Sequence, residues 1–159
     1  MSIEKVRAYF ETLGIAERIV EFDVSSATVA LAAKALGCEE CRIAKTLSFL
    51  LSNNKCVLVV AAGDVKVDNR KFKETFGEKA KMLPFDSVGE YVGHAAGGVC
   101  PFAVNEGVEI YLDESLKRFE TVFPAAGSSN SCIELSLEEL CEYSRYCGWV
   151  DVCKGMETI

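Results

Sequence analysis

The chain has 159 residues, half of them hydrophobic and 26% charged, which is enough to bury a core and excludes wholesale disorder. Its formal net charge of −7 argues against a general nucleic-acid binder, DNA included. The longest apolar run, Cys56–Ala62, is far too short to span a bilayer, and Met1-Ser2-Ile3-Glu4-Lys5-Val6 has no signal-peptide pattern, so the expectation is a single cytoplasmic domain with no membrane partner.

In chain order, Ser2 can cap a first helix that carries Ile3, Val6, Phe10 and Leu13 at helical spacing and stops at Gly14. Residues 18–22 read as a short strand. Ser25 or Ser26 can cap a second helix bearing Val29, Ala32, Ala33 and Leu36, ended by Gly37. Its many alanines allow close packing on a neighbour. Residues 42–51 alternate as a strand with Ile43, Leu47, Phe49 and Leu51 on one face. Lys45 shares that apolar face, so its ammonium must snorkel, pair or meet a ligand.

Ser52-Asn53-Asn54-Lys55 turns the chain into the apolar strand 56–62, giving a hairpin whose second strand reads as buried on both sides. Asp68 can cap a helix with Phe72 and Phe76 on one side and Gly77 after it. This region concentrates Lys66, Arg70, Lys71, Lys73, Lys79 and Lys81, a positive excess in an acidic chain. It is either a solvated helix face or a footprint for phosphates, with Lys66, Arg70, Lys71 and Lys73 the candidate contacts. Residues 80–83 read as a strand, and Asp86 or Ser87 opens a short helix through Val92, stopped by Gly93.

The next stretch is His94-Ala95-Ala96-Gly97-Gly98-Val99-Cys100-Pro101-Phe102-Ala103-Val104, around which the sequence is organised. It holds the only histidine in the chain, a glycine pair, a cysteine and one of three prolines. Such a loop can aim backbone N–H groups into one concavity and cradle an oxyanion, a carbonyl or a phosphate; otherwise it is a tight turn between helix and strand. Residues 102–104 and 108–112 read as strands. Asp113-Glu114-Ser115-Leu116 turns, and residues 120–123 form a short strand. Pro124-Ala125-Ala126-Gly127-Ser128-Ser129-Asn130 is a second small-residue loop, feeding a strand over 131–135. Ser136-Leu137-Glu138-Glu139 is a capping box for the last helix, and residues 149–153 read as a final strand. Hairpins mixed with helices, without βαβ repeats, give an α+β class with a curved mixed sheet flanked by helices. A curved sheet could bring both loops to one mouth beside Lys45.

Eight cysteines without an export signal read as free, mostly buried thiols. Only Cys38-Glu39-Glu40-Cys41 makes a CxxC, with no obvious second pair for zinc, and no cofactor is expected.

Four stretches in order resemble the YbaK/EbsC family, free-standing relatives of the editing domain inserted in bacterial prolyl-tRNA synthetases. Ala33-Lys34-Ala35-Leu36-Gly37 with Ile43-Ala44-Lys45-Thr46-Leu47 looks like the family's AxALG…KTL segment. Gly97-Gly98-Val99-Cys100-Pro101-Phe102 looks like its GGxxPF loop. Ile110-Tyr111-Leu112-Asp113-Glu114-Ser115-Leu116 looks like its hhhDxSL strand and turn. Ala126-Gly127-Ser128 before Ile133-Glu134-Leu135 looks like its glycine-containing loop. The match spans residues 15–145. Thr28-Val29 stands where some members have Tyr-Gly, and Ala103 where many have glycine.

The resemblance implies trans-editing hydrolysis of the ester of a mischarged aminoacyl-tRNA. The amino acid would be small, such as Ala or Cys, on tRNA for proline, with prolyl-tRNA synthetase a partner. It implies Lys45 as the key lysine and the loop of Gly97 and Gly98 as the substrate cradle, which form the expected catalytic set; His94 joins that set on its own chemistry, or else positions the loop after Gly93. Thr46, Val99, Cys100, Pro101, Phe102, Asp113, Gly127 and Ser128 are then expected to bind substrate. His94 is the only conventional general base, and Cys100 lacks an evident activating base. Two other readings stand beside the enzyme: a non-catalytic tRNA- or synthetase-binding module of the same fold, and a thiol or zinc protein using Cys38 and Cys41.

Overall fold

The structure is a computed structural model that describes residues 2–155. Its frame is a curved six-stranded mixed sheet that joins local hairpins to long crossovers, flanked by five α-helices. In chain order the elements are α1 (Ser2–Thr12), β1 (Val20–Glu21), α2 (Val29–Leu36), β2 (Ile43–Leu50), β3 (Cys56–Ala62), β4 (Val65–Val67), α3 (Asn69–Phe76), α4 (Val88–Val92), β5 (Glu109–Asp113), β6 (Thr121–Pro124), β7 (Ser131–Cys132), β8 (Leu135–Ser136), α5 (Leu137–Ser144), β9 (Gly148–Val150) and β10 (Cys153–Gly155). The sheet order is β8-β6-β2-β3-β5-β9, and β1-β7 and β10-β4 form two small ribbons. The β2–β3 hairpin runs from Ala44↔Ala62 to Leu50↔Cys56. β3 then pairs in parallel with β5, and β2 with β6.

Every residue of β3 is buried, as an apolar run at the centre of a two-sided sheet requires. On one side, Phe72 of α3 meets Phe49 with ring centroids 4.8 Å apart, and Phe76 meets Tyr111 at 5.2 Å. The face of β2 that carries Phe49 by alternation therefore also carries Leu47 and Lys45. Phe10 of α1 contacts Phe102 at 4.9 Å and Tyr143 of α5 at 6.3 Å, which ties the central loop to both terminal helices.

The caps follow local chemistry. Asp68 accepts from the Arg70 and Lys71 amides at the start of α3, and Ser136 and Glu139 form the reciprocal capping box of α5. α2 is capped by Thr28 rather than by Ser25 or Ser26; both of those hydroxyls turn instead to the Ser129 carbonyl. The expected cap by the Ser2 side chain lies outside the described residues.

Several expected strands differ. Residues 102–104 form none, because Ala103 takes a φ of 52° that breaks extended pairing. Residues 80–83 contribute one isolated bridge, Phe49↔Met82. The strand expected over 18–22 shrinks to β1 after a 3-10 turn, 131–135 divides into β7 and β8, and 149–153 divides between β9 and β10. β4 has no counterpart in the sequence pattern, since three residues after Gly63 are too few to show a period.

Candidate active site

β2 has a different neighbour at each end on the side away from β3. Its start pairs with β6, ending at Ala44↔Pro124. Its end meets the chain around Met82, where Leu83 donates to the Ser48 carbonyl and Leu50 to the Lys81 carbonyl. Pro84 follows and has no N–H with which to extend that pairing. Between the two pairings no strand is paired to residues 45–47 on that side among the described residues. Alternation directs the Thr46 N–H and C=O the same way as the Ser48 carbonyl, into this gap. Thr46 Oγ1 is also buried there with no hydrogen-bond partner.

The gap opens into a cavity of about 480 Å³. Lys45, Thr46 and Leu47 form one wall. The entry to α2, from Ser26 to Val29, forms another, and Phe123, Ala125 and Cys132 close a third side. Ala96, Gly97 and Val99 bring in the central loop, while Met82 and Phe85 stand at the rim. A second concavity of about 490 Å³ lies around Arg18, Thr121, Glu134 and Glu139. Its charges are already paired, Arg18 with Glu139 and Glu134 with Arg42 from outside the concavity.

Lys45 reaches over the β4 turn, and its ammonium donates to the Val65 carbonyl. An ammonium has three donors, so this bond leaves two for a ligand. Burial pushes the Lys45 pKa down, against the smaller upward pull of Cys153 and Asp64. Asp64 itself is held by a bidentate pair with Arg118, at 2.9 and 2.6 Å.

The central loop divides its residues between cavity and core. Gly97 has φ +90° and faces the cavity. Gly98 is buried, and its N–H donates to the Ala95 carbonyl at 3.0 Å, so that group closes the turn and is not offered to a ligand. Val99 returns to the cavity wall. Gly97 and Val99, with Ala96 beside them, are thus the loop residues that line the site.

His94, Cys100 and Phe102 are each fully buried and do not line the cavity. His94 Nε2 lies 2.6 Å from the Phe102 carbonyl and 3.6 Å from Cys100 Sγ, and its Nδ1 is buried without a partner. Burial lowers the His94 pKa and pushes the Cys100 thiol up to about 12. A sealed neutral imidazole and a protonated thiol position the loop; the geometry gives neither a route to substrate. Pro101, also buried, fixes the bend between them.

Asp113 is likewise inside, 1% exposed, accepting from the Ser115 and Val152 amides at 2.9 Å each. Ser115 in turn accepts from the Ala62 amide. The Asp-x-Ser stretch fastens β5 to the end of β3 and to the chain before β10, away from the cavity. Gly127 takes φ +99°, and the Ser128 hydroxyl contacts Ser131 Oγ at 2.6 Å. This second loop supports the cavity from behind, and its Ser129 carbonyl accepts the Ser26 amide at the α2 entry.

The basic stretch also divides. Lys71 pairs with Asp151 at 3.0 Å and donates to the Cys153 carbonyl, and Arg70 pairs with Glu74. Lys66 and Lys73 form no ion pair among the described residues. All eight cysteines are free, and no group of three potential metal ligands occurs among the described residues.

A family model for an aminoacyl-tRNA editing domain matches residues 24–143, which hold every wall of this cavity. The chain belongs to that family. The editing domain is 51% identical over 157 residues to the uncharacterized protein YwhH of Bacillus subtilis (strain 168), covering 99% of this chain and all of that one. Its fold superposes with a TM-score of 0.85 on the crystal structure of a candidate trans-editing enzyme for prolyl-tRNA synthetase. That match is 28% identical and covers 97% of this chain and 98% of the other. The hypothetical protein APE2540 superposes with a TM-score of 0.84 at 29% identity, over 94% of this chain and 99% of that one. No helix among the described residues is long and apolar enough to cross a membrane.

Of the residues that the sequence singles out, Lys45, Thr46, Gly97 and Val99 meet in the editing-domain cavity. Sequence reasoning misses Thr28, Met82, Leu83, Phe85 and Cys132, which line it from other segments. The one local signal is Pro84, which marks a forced turn ahead of an aromatic.

Proposed function

We propose that this editing domain acts in trans as a deacylase, hydrolysing the ester between a small amino acid and a mischarged tRNA, with alanine or cysteine on tRNA for proline as the substrates. The observation that carries this reading is the juxtaposition of Lys45, of Thr46 with its unpaired strand edge, and of Gly97 and Val99 around one cavity.

An aminoacyl ester is already activated, so a positioned water suffices as nucleophile. It adds to the ester carbonyl, whose oxygen becomes an oxyanion. In this reading, backbone N–H groups at Gly97 or Val99 and the Lys45 ammonium stabilise that charge in a site of low dielectric. Collapse breaks the bond to the ribose oxygen, which takes a proton. The products are a free amino acid and a tRNA with its terminal hydroxyl restored. Proton transfer falls to the bound water and to substrate groups, since His94 is sealed from the cavity. Small apolar walls at Val29, Ala32 and Ala125 suit a short side chain, and larger amino acids are excluded by contact rather than by a charged reader.

The test is release of free amino acid from tRNA for proline charged with alanine, cysteine or proline. Alanine or cysteine should be released and proline retained. No release from any of these by the folded protein, with or without prolyl-tRNA synthetase, would reject the reading.

A further inference from the structure

At the rim of the cavity stand Met82, 58% exposed, and Phe85, 77% exposed. Phe85 is the most exposed large hydrophobic side chain among the described residues, and it makes no ring contact with another aromatic there. It is not on a loose segment. Leu83 is buried and bonded to Ser48, and Pro84 sets the backbone and accepts from the Ser87 amide. Phe85 then opens a 3-10 turn that runs straight into α4, whose Val88 is buried. The backbone under Phe85 is thus bonded in place, while its apolar ring stands in water beside the cavity.

We infer that Phe85, with Met82 also on the rim, is the platform on which the terminal adenine of the tRNA stacks. The inference rests on the deacylase reading for its occupant. The ester joins the amino acid to the ribose of the last nucleoside. With the acyl group between Lys45 and Gly97, the ribose lies at the mouth and its base must come to rest on the rim. The rim offers the base an aromatic face, and stacking of a base on an aromatic needs no hydrogen-bond code. Pocket and platform then divide the work: the cavity sorts the amino acid, while Phe85 holds the feature that every tRNA shares.

The probe is an uncharged minihelix ending in CCA, and its partner is the same minihelix with an abasic terminal nucleotide. Binding of both is measured to wild type and to Phe85→Ala, Phe85→Leu and Phe85→Trp. Removing either the ring or the base should weaken wild-type binding by between about fivefold and a hundredfold. Removing both should weaken it no further, because the two changes break one contact. Phe85→Trp should restore binding and Phe85→Leu should not. Additive losses, full rescue by leucine, or no loss in Phe85→Ala would overturn the platform. So would an effect seen only after a synthetase is added, which would make the patch a protein contact. Binding needs no hydrolysis, so a failed deacylation assay and a failed platform are separate results.

Discussion

Gly98 lies so close to the Ser128 backbone that a Cβ on residue 98 would stand 2.8 Å from the Ser128 Cα and 3.0 Å from its N and C atoms. The sequence offers both Gly97 and Gly98 as catalytic-loop residues; in the structure Gly97 lines the cavity, while Gly98 seats one small-residue loop on the other. Gly98→Ala must push the loops apart. It should cost about 1–3 kcal/mol in denaturant unfolding, as overpacking does, and reduce deacylation with it. Wild-type stability together with wild-type kinetics would show that the loops can separate freely.

Lys45→Ala should lower kcat by a factor on the order of 10²–10³, the scale for losing one preorganised electrostatic donor. Its melting temperature should stay near that of wild type, because the desolvated ammonium gains little by being in the fold. Single-turnover deacylation and thermal unfolding check the two halves separately. Equal rates in the two proteins would remove Lys45 from the mechanism.

His94 predicts a pH dependence of stability. Burial lowers its pKa below the ordinary value of 6.5, so between the folded and unfolded pKa values the unfolded chain binds more protons. Its contribution to stability is complete above pH 6.5 and falls as the solution is acidified through and below that value. The slope is at most about 1.4 kcal/mol per pH unit for one proton. His94→Gln should flatten this part of the urea-unfolding profile. A variant with the same slope would place the acid sensitivity elsewhere.

Asp113→Asn removes the charge that two backbone amides share and leaves a single acceptor oxygen for both. The expected loss is about 1.5–3 kcal/mol in unfolding free energy, the scale for one hydrogen bond to a charged group. Since Asp113 lies away from the cavity, the folded fraction should keep its KM. A raised KM at full stability would return Asp113 to the substrate site.

The lysines of the basic stretch should behave in two ways. Lys66→Ala/Lys73→Ala should make tRNA binding less sensitive to salt, by about one unit of log–log slope for each phosphate that is no longer neutralised. Lys71→Ala should instead lower the melting temperature, since it breaks the link to Asp151 and to the Cys153 carbonyl. Unchanged slopes for the double variant would reduce the stretch to a solvated surface and leave tRNA held by its 3′ end.

The parts legible in the sequence are those set by neighbours in the chain. Asp68 before α3, Ser136 with Glu139 at α5, and glycines after α2, α3 and α4 mark helix ends by chemistry within a few residues. The β2–β3 hairpin is legible because the whole ladder lies around one short turn. Lys45 stands out because a charge on an apolar strand face breaks the pattern. The rest depends on partners far away in sequence. Nothing local distinguishes a buried Asp113 from a ligand-facing one until Val152 is known to lie beside it. The two glycines of the central loop look equivalent until Ser128 occupies the space beside one of them.

The unpaired stretch of β2 also bears on how the protein spends its time without substrate. Thr46 belongs to a strand at the middle of the sheet, yet its amide faces the cavity instead of a neighbouring chain. Its hydrogen exchange with solvent deuterium should resemble that of a frayed edge, with the amides of β3 beside it far slower. A ligand that fills the cavity restores the missing neighbour, so occupancy becomes readable at one backbone position before any bond is cleaved.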